Sequence, residues 1–421
     1  MNPEIKQRIE QIRCGEQPEG YKKTKAGILP ADWNVHILGD CLSRVESPVE
    51  VKSNELYTQI GIRSHGKGLF YKEPVTGEAL GNKAVFWIEP DCFIVNIVFA
   101  WEQAIGKTTQ SEVGMIGSHR FPMYRPVNDR VDVDYLISYF LTKRGTDILE
   151  AASPGGAGRN KTLGQDRFLK SKVILPPIEE QRKIAAILTT QDKVIELKEK
   201  RLAEKQRQKR YLMRQLLTGK KRLPGFSGKW KDEKLSNFCE FVGGGTPDTH
   251  NQSFWGGDIP WISSSDLVMD DFKSIAITRF ITQQAVEFST AKLCPKGCIL
   301  LVSRVGVGKL AIAPTDLCTS QDFTNIIQYK HNSMFLLYAL YYLMKNKVKQ
   351  TQGSAIKGIT VKEIKKFSLE FPTISEQAAI AEVLSAADRE IDLLRQDIEQ
   401  EKQKKKALMQ LLLTGIVRVK V

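Results

Sequence analysis

Residues 176–219 read PPIEEQRKIAAILTTQDKVIELKEKRLAEKQRQKRYLMRQLLTG, and residues 372–415 read PTISEQAAIAEVLSAADREIDLLRQDIEQEKQKKKALMQLLLTG. The second stretch repeats the first without a gap. Gln181 pairs with Gln377, Asp192 with Asp388, Ile195 with Ile391, Met213 with Met409 and Gly219 with Gly415, each 196 positions on. A long segment duplicated at that distance implies two copies of one module, a pseudo-twofold molecule presenting two similar heads to a two-part target.

Apolar residues in both stretches follow a 4-3 alternation. The first carries Ile184, Leu188, Ile195, Leu202, Leu212 and Leu216, with Gln191, Lys198, Lys205 and Lys209 at the remaining seam positions. The second carries Ile380, Leu384, Ala387, Ile391, Leu394, Ile398, Leu408 and Leu412, with Glu401 and Lys405 in the seam. A period of 3.5 predicts a coiled-coil stripe rather than the face of an ordinary surface helix. Pro176 and Pro177 end a preceding strand, and Glu179 and Glu180 suit a helix N-terminus. Gly219 and Gly415 read as C-terminal caps, with Lys220, Lys221 and Arg222 complementing the carbonyl end of the first helix. Unbroken from Ile184 to Leu216, that helix spans roughly 48 Å. Lys205 stands at the level of Glu401, and Lys209 at that of Lys405. An antiparallel pairing brings other levels together, so the sequence assigns no ion pair. The helices hold each other and are expected to act as a spacer between the heads.

The segments before the two helices share a plan. Leu29, Pro30, Trp33 and Leu38 open one; Leu223, Pro224, Trp230 and Leu235 open the other. Each has a β-rich stretch, Cys92–Ala100 or Cys298–Val305, then an aromatic-rich apolar helix, Tyr135–Leu141 or Phe335–Leu343. Each closes with a small-residue loop carrying lysine, at Ser153–Thr162 and Gln352–Thr360. Between these landmarks the heads differ: GIRSHGKGLFY (61–71) in one, GGGTPDTHNQSFWGGDIPWISSSDL (243–267) in the other. One scaffold with two sets of loops is expected of readers of two sequences, and equally of ordinary divergence after duplication. Ile5, Ile9 and Ile12 repeat the 4-3 spacing on a short N-terminal helix followed by Gly15. The expected segments are therefore 1–19, an N-terminal helix completing the repeat; 20–175, a first head; 176–222, a central helix; 223–371, a second head; and 372–421, a C-terminal helix.

A chain of 421 residues with a net charge of +14 has room for several cores and favours an anionic partner, nucleic acid being the commonest. Seven cysteines show no paired framework, which suits a reducing compartment. Cys294 and Cys298, without a second pair or a nearby histidine, read as packed thiols rather than metal ligands. The N-terminal residues lack the apolar core of a signal peptide, and the longest apolar run, Met334–Met344, is too short to span a bilayer. A cytoplasmic location is expected.

Catalytic motifs fail one by one. Phe241–Gly245 has the outline of an S-adenosylmethionine loop, but polar residues follow it instead of a helix start. Asn/Asp-Pro-Pro-aromatic occurs nowhere. Gly106-Lys107-Thr108 lacks the upstream glycine of a phosphate loop, and Gly308-Lys309 is followed by Leu310 where magnesium needs a hydroxyl. Five scattered histidines have no ligand spacing, so no metal and no catalytic residue is expected. What remains are loop donors for phosphates and base edges. In the first head they are Arg63, Ser64, Lys67, Arg159, Asn160 and Lys161. In the second they are Thr246, Ser263, Ser264, Ser265, Arg304, Lys309 and Lys357.

The order head, long helix, head, long helix resembles the specificity subunits of Type I restriction–modification systems. The resemblance rests on the two Pro-x-x-x-Glu-Gln helix starts (Pro176–Ala185, Pro372–Ala381) and the Leu-Leu-Thr-Gly ends (Leu216–Gly219, Leu412–Gly415). Gly243–Pro247 and Trp255–Leu267 of the second head also look like the family's target recognition domains, whereas the first head lacks the Gly-Gly-Gly-Thr-Pro segment. The resemblance implies an α+β fold class: two globular mixed α/β target recognition domains separated by two long antiparallel coiled-coil helices. It implies that each head reads one half of a bipartite, asymmetric site on double-stranded DNA, with the helix pair setting the gap. Two modification subunits that methylate adenine would dock on the chain, and restriction subunits would complete the complex. S-adenosylmethionine, ATP and Mg would belong to those partners, and this chain would be non-catalytic. A stand-alone duplicated DNA-binding regulator, a DNA-modifying enzyme with a degenerate motif, and a coiled-coil adaptor are the rivals.

Overall fold

Both duplicated segments are single helices, Ile178–Leu216 and Ile374–Leu413, in the computed structural model, which describes residues 3–25, 27–81, 83–155, 161–350 and 358–419. The chain divides into two compact units, Met1–Glu199 with Asp397–Val421, and Lys200–Gln396. The division therefore falls inside both long helices. No helix among the described residues is long and apolar enough to cross a membrane.

In each unit the two helical portions run antiparallel, and ion pairs fix their level. In the first unit Gln191 Nε2 donates to the Glu401 carboxylate (2.6 Å), and Lys198 Nζ reaches Asp397 (2.8 Å) and Glu401 (2.9 Å). Lys405 Nζ lies 2.5 Å from Asp192. In the second unit Lys209 pairs with Asp388, and Lys205 with Glu390 at 2.8 Å. The Lys405–Asp192 and Lys209–Asp388 pairs are one contact made twice, since 209 + 196 = 405 and 192 + 196 = 388. The apolar seam closes around them. Ile184, Leu188, Ile195, Leu216, Ile380, Leu384, Ile391, Ile398 and Leu412 are buried; Leu202, Leu212, Leu394 and Leu408 are half-buried. Polar groups inside such a seam favour one register over its neighbours.

The helix starts tie down the heads. Strand Lys172–Leu175 pairs antiparallel with Asn34–Ile37 in the first unit, as Ser368–Phe371 does with Lys231–Lys234 in the second. Each strand then enters its helix through a buried glutamine. Gln181 Nε2 donates to the Pro176 and Arg130 carbonyls (2.9 and 3.0 Å), and its Oε1 accepts from the Asp132 amide (3.0 Å). Gln377 repeats the pattern with the Pro372 carbonyl (2.9 Å), His331 Nδ1 (3.1 Å) and the Asn332 amide (3.0 Å). Asp132 and Asn332 themselves accept from the amides of Tyr135 and Phe335, starting the apolar helices Val133–Phe140 and Ser333–Gln350.

The glutamate before each glutamine, buried in both units, holds an arginine from beyond the other helix's end. Arg418 contacts Glu180 at 2.7 and 2.9 Å, and Arg222 contacts Glu376 at 2.5 Å twice. The sequence assigned Arg222 to its own helix's carbonyl end. The structure instead gives it a bidentate carboxylate, the geometry a planar guanidinium suits best. Both Leu-Leu-Thr-Gly ends turn at a left-handed glycine, Gly219 (φ +64°) and Gly415 (φ +72°). The first turns beside Trp230 and the second against Pro30 and Trp33.

Within the first head, strands Ile105–Lys107, Phe93–Val95, Met123–Pro126 and Leu42–Val45 form an antiparallel sheet in that spatial order. Helices Val133–Phe140 and Lys143–Ala151 share its main core with Phe93, Tyr124 and Phe168. Among its described residues the second head has two four-stranded sheets. One is antiparallel; the other joins Trp255–Ile262 in parallel to Leu317–Thr319. Cys294 and Cys298 pack inside a buried cluster there. The N-terminal helix Pro3–Arg13 leaves Ile5, Ile9 and Ile12 half-buried, and Tyr21 next to it donates a hydroxyl bond to the Gly415 carbonyl (2.8 Å).

Candidate nucleic-acid interface

In the first head the donors Arg63, Ser64 and Lys67 lie in the turn joining strands Ile60–Ile62 and Leu69–Tyr71. His65 and Gly66 take left-handed backbone angles (φ +61° and +62°), which lets their amides donate to the Glu102 and Gln103 carbonyls at 2.8 and 2.9 Å. Ser64 Oγ adds a bond to the Glu102 carboxylate (2.9 Å). The turn is thus braced on residues 102–103, leaving Lys67 exposed and the Arg63 guanidinium over the Phe70 ring at 5.1 Å. Lys161 stands over the ring of Trp101 at 5.4 Å, so it and the hairpin turn both rest on the short turn at 100–103. Arg159 and Asn160 lie outside the described residues.

The second head builds its surface from strand Trp255–Ile262 and the turn that follows it. Ser263 caps that turn through a reciprocal pair with Asp266, and Ser263 Oγ lies 2.8 Å from Ser265 Oγ. Ser264 is buried; its carbonyl accepts from Lys309 Nζ at 2.8 Å, so Ser264 and Lys309 brace the turn from beneath. Thr246 Oγ1 donates to Gln321. Two glycines of the Gly-Gly-Gly-Thr-Pro stretch, Gly244 and Gly245, are required by space, whereas a Cβ on Gly243 would meet nothing within 4 Å. A Cβ on Gly244 would stand 2.1 Å from the Ser320 carbonyl oxygen, and one on Gly245 2.1 Å from that of Thr290. Beside them opens a cavity of about 930 Å³, lined among others by Gly243, Gln321, Ser303, Thr360 and the exposed Arg304. Lys357 lies outside the described residues.

Sequence reading missed Arg279. Its Nη2 donates to Ser263 Oγ at 2.8 Å and pairs with Asp266, while its guanidinium lies 4.6 Å from the centroid of Trp261. Trp261 is itself fixed, edge-on to Trp255 (5.4 Å, 80°) and donating to the Gly245 carbonyl at 2.9 Å. The signal was the antiparallel register that sets Trp261 opposite Arg279, which no local motif announces. A half-exposed guanidinium lying over an indole, with Nη2 committed to Ser263 and Asp266, has its Nη1 and Nε hydrogens left to donate to single acceptors such as a phosphate oxygen or guanine O6 or N7.

Comparison with known proteins gives a consistent outcome. The family model described as the Type I restriction modification DNA specificity domain matches this chain twice, at residues 89–205 and 227–403. The Type I restriction enzyme MjaIX specificity subunit of Methanocaldococcus jannaschii is 39% identical over 169 residues, 38% of each chain. The MjaVIII specificity subunit of the same organism is 23% identical over 431 aligned positions, covering 96% of this chain and 97% of its own. A chain from a solved structure of a type I R-M system aligns with a TM-score of 0.62 at 20% identity, covering 92% of this chain and 99% of that one.

Proposed function

This chain belongs to the DNA specificity family of Type I restriction–modification systems, and on that premise we propose that its two heads read the two halves of one bipartite, asymmetric DNA site. The observation that carries the reading is the pairing of a duplicated frame with unlike loops. The same glutamine, glutamate–arginine and lysine–aspartate contacts recur 196 positions apart, while the exposed turns share no residue pattern. Two equivalent frames carrying different readers suit a target whose halves differ.

In this reading Arg63, Lys67 and Lys161 face the first half-site, and Ser265, Arg279 and Arg304 the second. The lysines position phosphates, and the arginines donate to base edges. The continuous long helices set the unread gap. The chain catalyses nothing itself. Two modification subunits methylate adenine at the addressed site, and restriction subunits complete the assembly. S-adenosylmethionine, ATP and Mg belong to those partners.

The test is genome-wide adenine methylation in a methylation-free host that expresses this chain with its modification subunit. A single two-part motif that vanishes when this chain is omitted is the expected result. Arg279→Ala should then relax the second half-site at one position and leave the first unchanged. Deleting one heptad from the first long helix should alter the gap or abolish recognition without changing either half. A complex that forms yet leaves no motif would overturn the reading, as would sequence-specific DNA binding by a chain that assembles with no partner.

A further inference from the structure

The second unit contains a worked example of how one of its helical grooves is filled. In the stretch Met-Asp-Asp-Phe (269–272), Asp270 and Phe272 lie against helix Ser333–Gln350, and Phe272 shares a buried cluster with Met213 and Leu216 of the first long helix. Phe272 is buried edge-on against Tyr338 (5.5 Å, 82°) and Tyr341 (5.0 Å, 78°), with Lys209 Nζ 5.1 Å from its ring centre. Asp270 accepts from the Tyr341 hydroxyl and lies 3.2 Å from Lys345 Nζ. Met213 and Leu217 belong to the same buried cluster. An aromatic ring on an apolar floor, with the Asp270 carboxylate on a lysine beside it, closes the groove, while Asp271 accepts from the Lys273 and Ser274 amides of its own loop.

The matching positions on the other long helix are Lys405, Met409 and Leu413, since 209 + 196 = 405, 213 + 196 = 409 and 217 + 196 = 413. In the first unit they line an open groove of about 810 Å³, with Tyr139, Leu141 and Lys143 on its far wall. Met409 is half-buried where Met213 is buried. The lining carries five cations, Lys143, Arg144, Lys402, Lys405 and Lys406, against one anion, Asp147, a surplus of 5 − 1 = 4 positive charges. Lys405 already pairs with Asp192, and Lys402 with Glu199, on the helices themselves, and Lys143 pairs with Asp147 one helical turn on. Lys406 on the rim offers charge to an incoming carboxylate.

We propose that this groove docks an acidic–aromatic segment of a protein partner, with a phenylalanine-like ring on Met409 and Leu413 and a flanking carboxylate against Lys406. The occupant's chemistry is taken from Asp270 and Phe272, which the chain itself uses on the equivalent helix face. The proposal stands apart from the DNA-reading role, because none of the groove residues belongs to the exposed turns of either head.

The test uses the full chain with labelled methionine methyl groups and, as probe, the capped peptide Leu-Val-Met-Asp-Asp-Phe-Lys-Ser, which reproduces residues 267–274. A free peptide lacks the effective concentration of a tethered segment, so weak but saturable binding is expected, with dissociation constants of about 0.1–1 mM. The Met409 methyl should shift on titration. Lys406→Glu should weaken binding by about tenfold, as should replacing the peptide's aspartates by asparagine. Replacing its phenylalanine by alanine should abolish the shift. If Lys406→Glu fails to fold, judged from the remaining methyl signals, Thr414→Arg serves as a second variant that blocks the groove. An unmoved Met409 overturns the proposal, and so does an equal response to the phenylalanine-free peptide. A short oligothymidylate that shifts Met409 and displaces the peptide would assign the groove to nucleic acid and overturn it too.

Discussion

At the start of its long helix each unit uses the same buried glutamine and the same glutamate–arginine pair, whereas the exposed turns of the two heads have nothing in common. Gln181 and Gln377 each accept from the amide that begins an apolar helix and donate to the proline carbonyl behind them. By contrast the first head displays a hairpin turn braced on Glu102, and the second a serine turn locked to an arginine that lies over tryptophan. The difference teaches where divergence is tolerated. Every partner of the buried glutamine is itself buried or backbone, so a change there strands several groups at once. A turn that faces solvent can be rebuilt at little cost.

The largest effect should come from removing either glutamine. Gln181→Leu keeps the volume but leaves the Pro176 and Arg130 carbonyls and the Asp132 amide unpaired. At about 1–3 kcal/mol for each stranded buried group, a loss of about 3 kcal/mol or more is expected. Gln377→Leu should cost somewhat less, because one of its three partners is the imidazole of His331, which can change tautomer in place while Phe371, stacked at 3.7 Å, holds the ring. Urea unfolding followed at Met409 in the first unit and Met213 in the second would measure both. Near-zero loss in either variant would mean that water replaces the glutamine and that the frame is less rigid than drawn.

A smaller effect separates the two helix ends. Both closing glycines sit in the left-handed region, where a side chain costs about 1–2 kcal/mol whatever the space around it. Gly219→Ala should stop there, since its new methyl would meet Trp230 at an ordinary 3.5 Å. Gly415→Ala adds a clash, its Cβ falling 2.5 Å from Cδ of Pro30, and should be clearly the more damaging. Equal losses in the two variants would show that Pro30 yields freely.

These asymmetries mark the limit of what the sequence could tell. The repeat of 196 positions, the proline helix starts and the glycine ends were legible because each is a local pattern with a local cause. The levels at which the helices meet were not, since a 4-3 stripe fits several antiparallel registers equally well. Lys209 could have faced any of several carboxylates, and only the folded chain selects Asp388. Among the candidate donors, the sequence marked Ser263–Ser265 and Lys309 as polar loop residues. It could not show that Lys309 reaches the Ser264 carbonyl, a contact between residues 45 positions apart. Arg279 was invisible for the same reason: its meaning lies in Trp261 across the sheet.

The subtlest departure from repetition is in the seam, and pH should expose it. The first unit carries Gln191, Lys198 and Glu401; the equivalent positions in the second are Ala387, Leu394 and Lys205. Hydrogen bonds from Lys198 first, then from Gln191, outweigh partial desolvation and pull the Glu401 carboxyl from its usual 4.5 down to about 2. A carboxylate whose folded pKa is depressed stabilises the folded state fully above its ordinary pKa and loses that contribution as pH falls through the folded value. The first unit should therefore lose this support between about pH 4.5 and 2, a window in which the second unit has no counterpart at those three positions. Glu401→Gln should lower the urea midpoint reported by Met409 at pH 6 and flatten its decline towards pH 3. Met213 should report little change. Parallel acid slopes for the variant and the parent at Met409 would sink the assignment, because the charge on Glu401 would then contribute nothing that titrates.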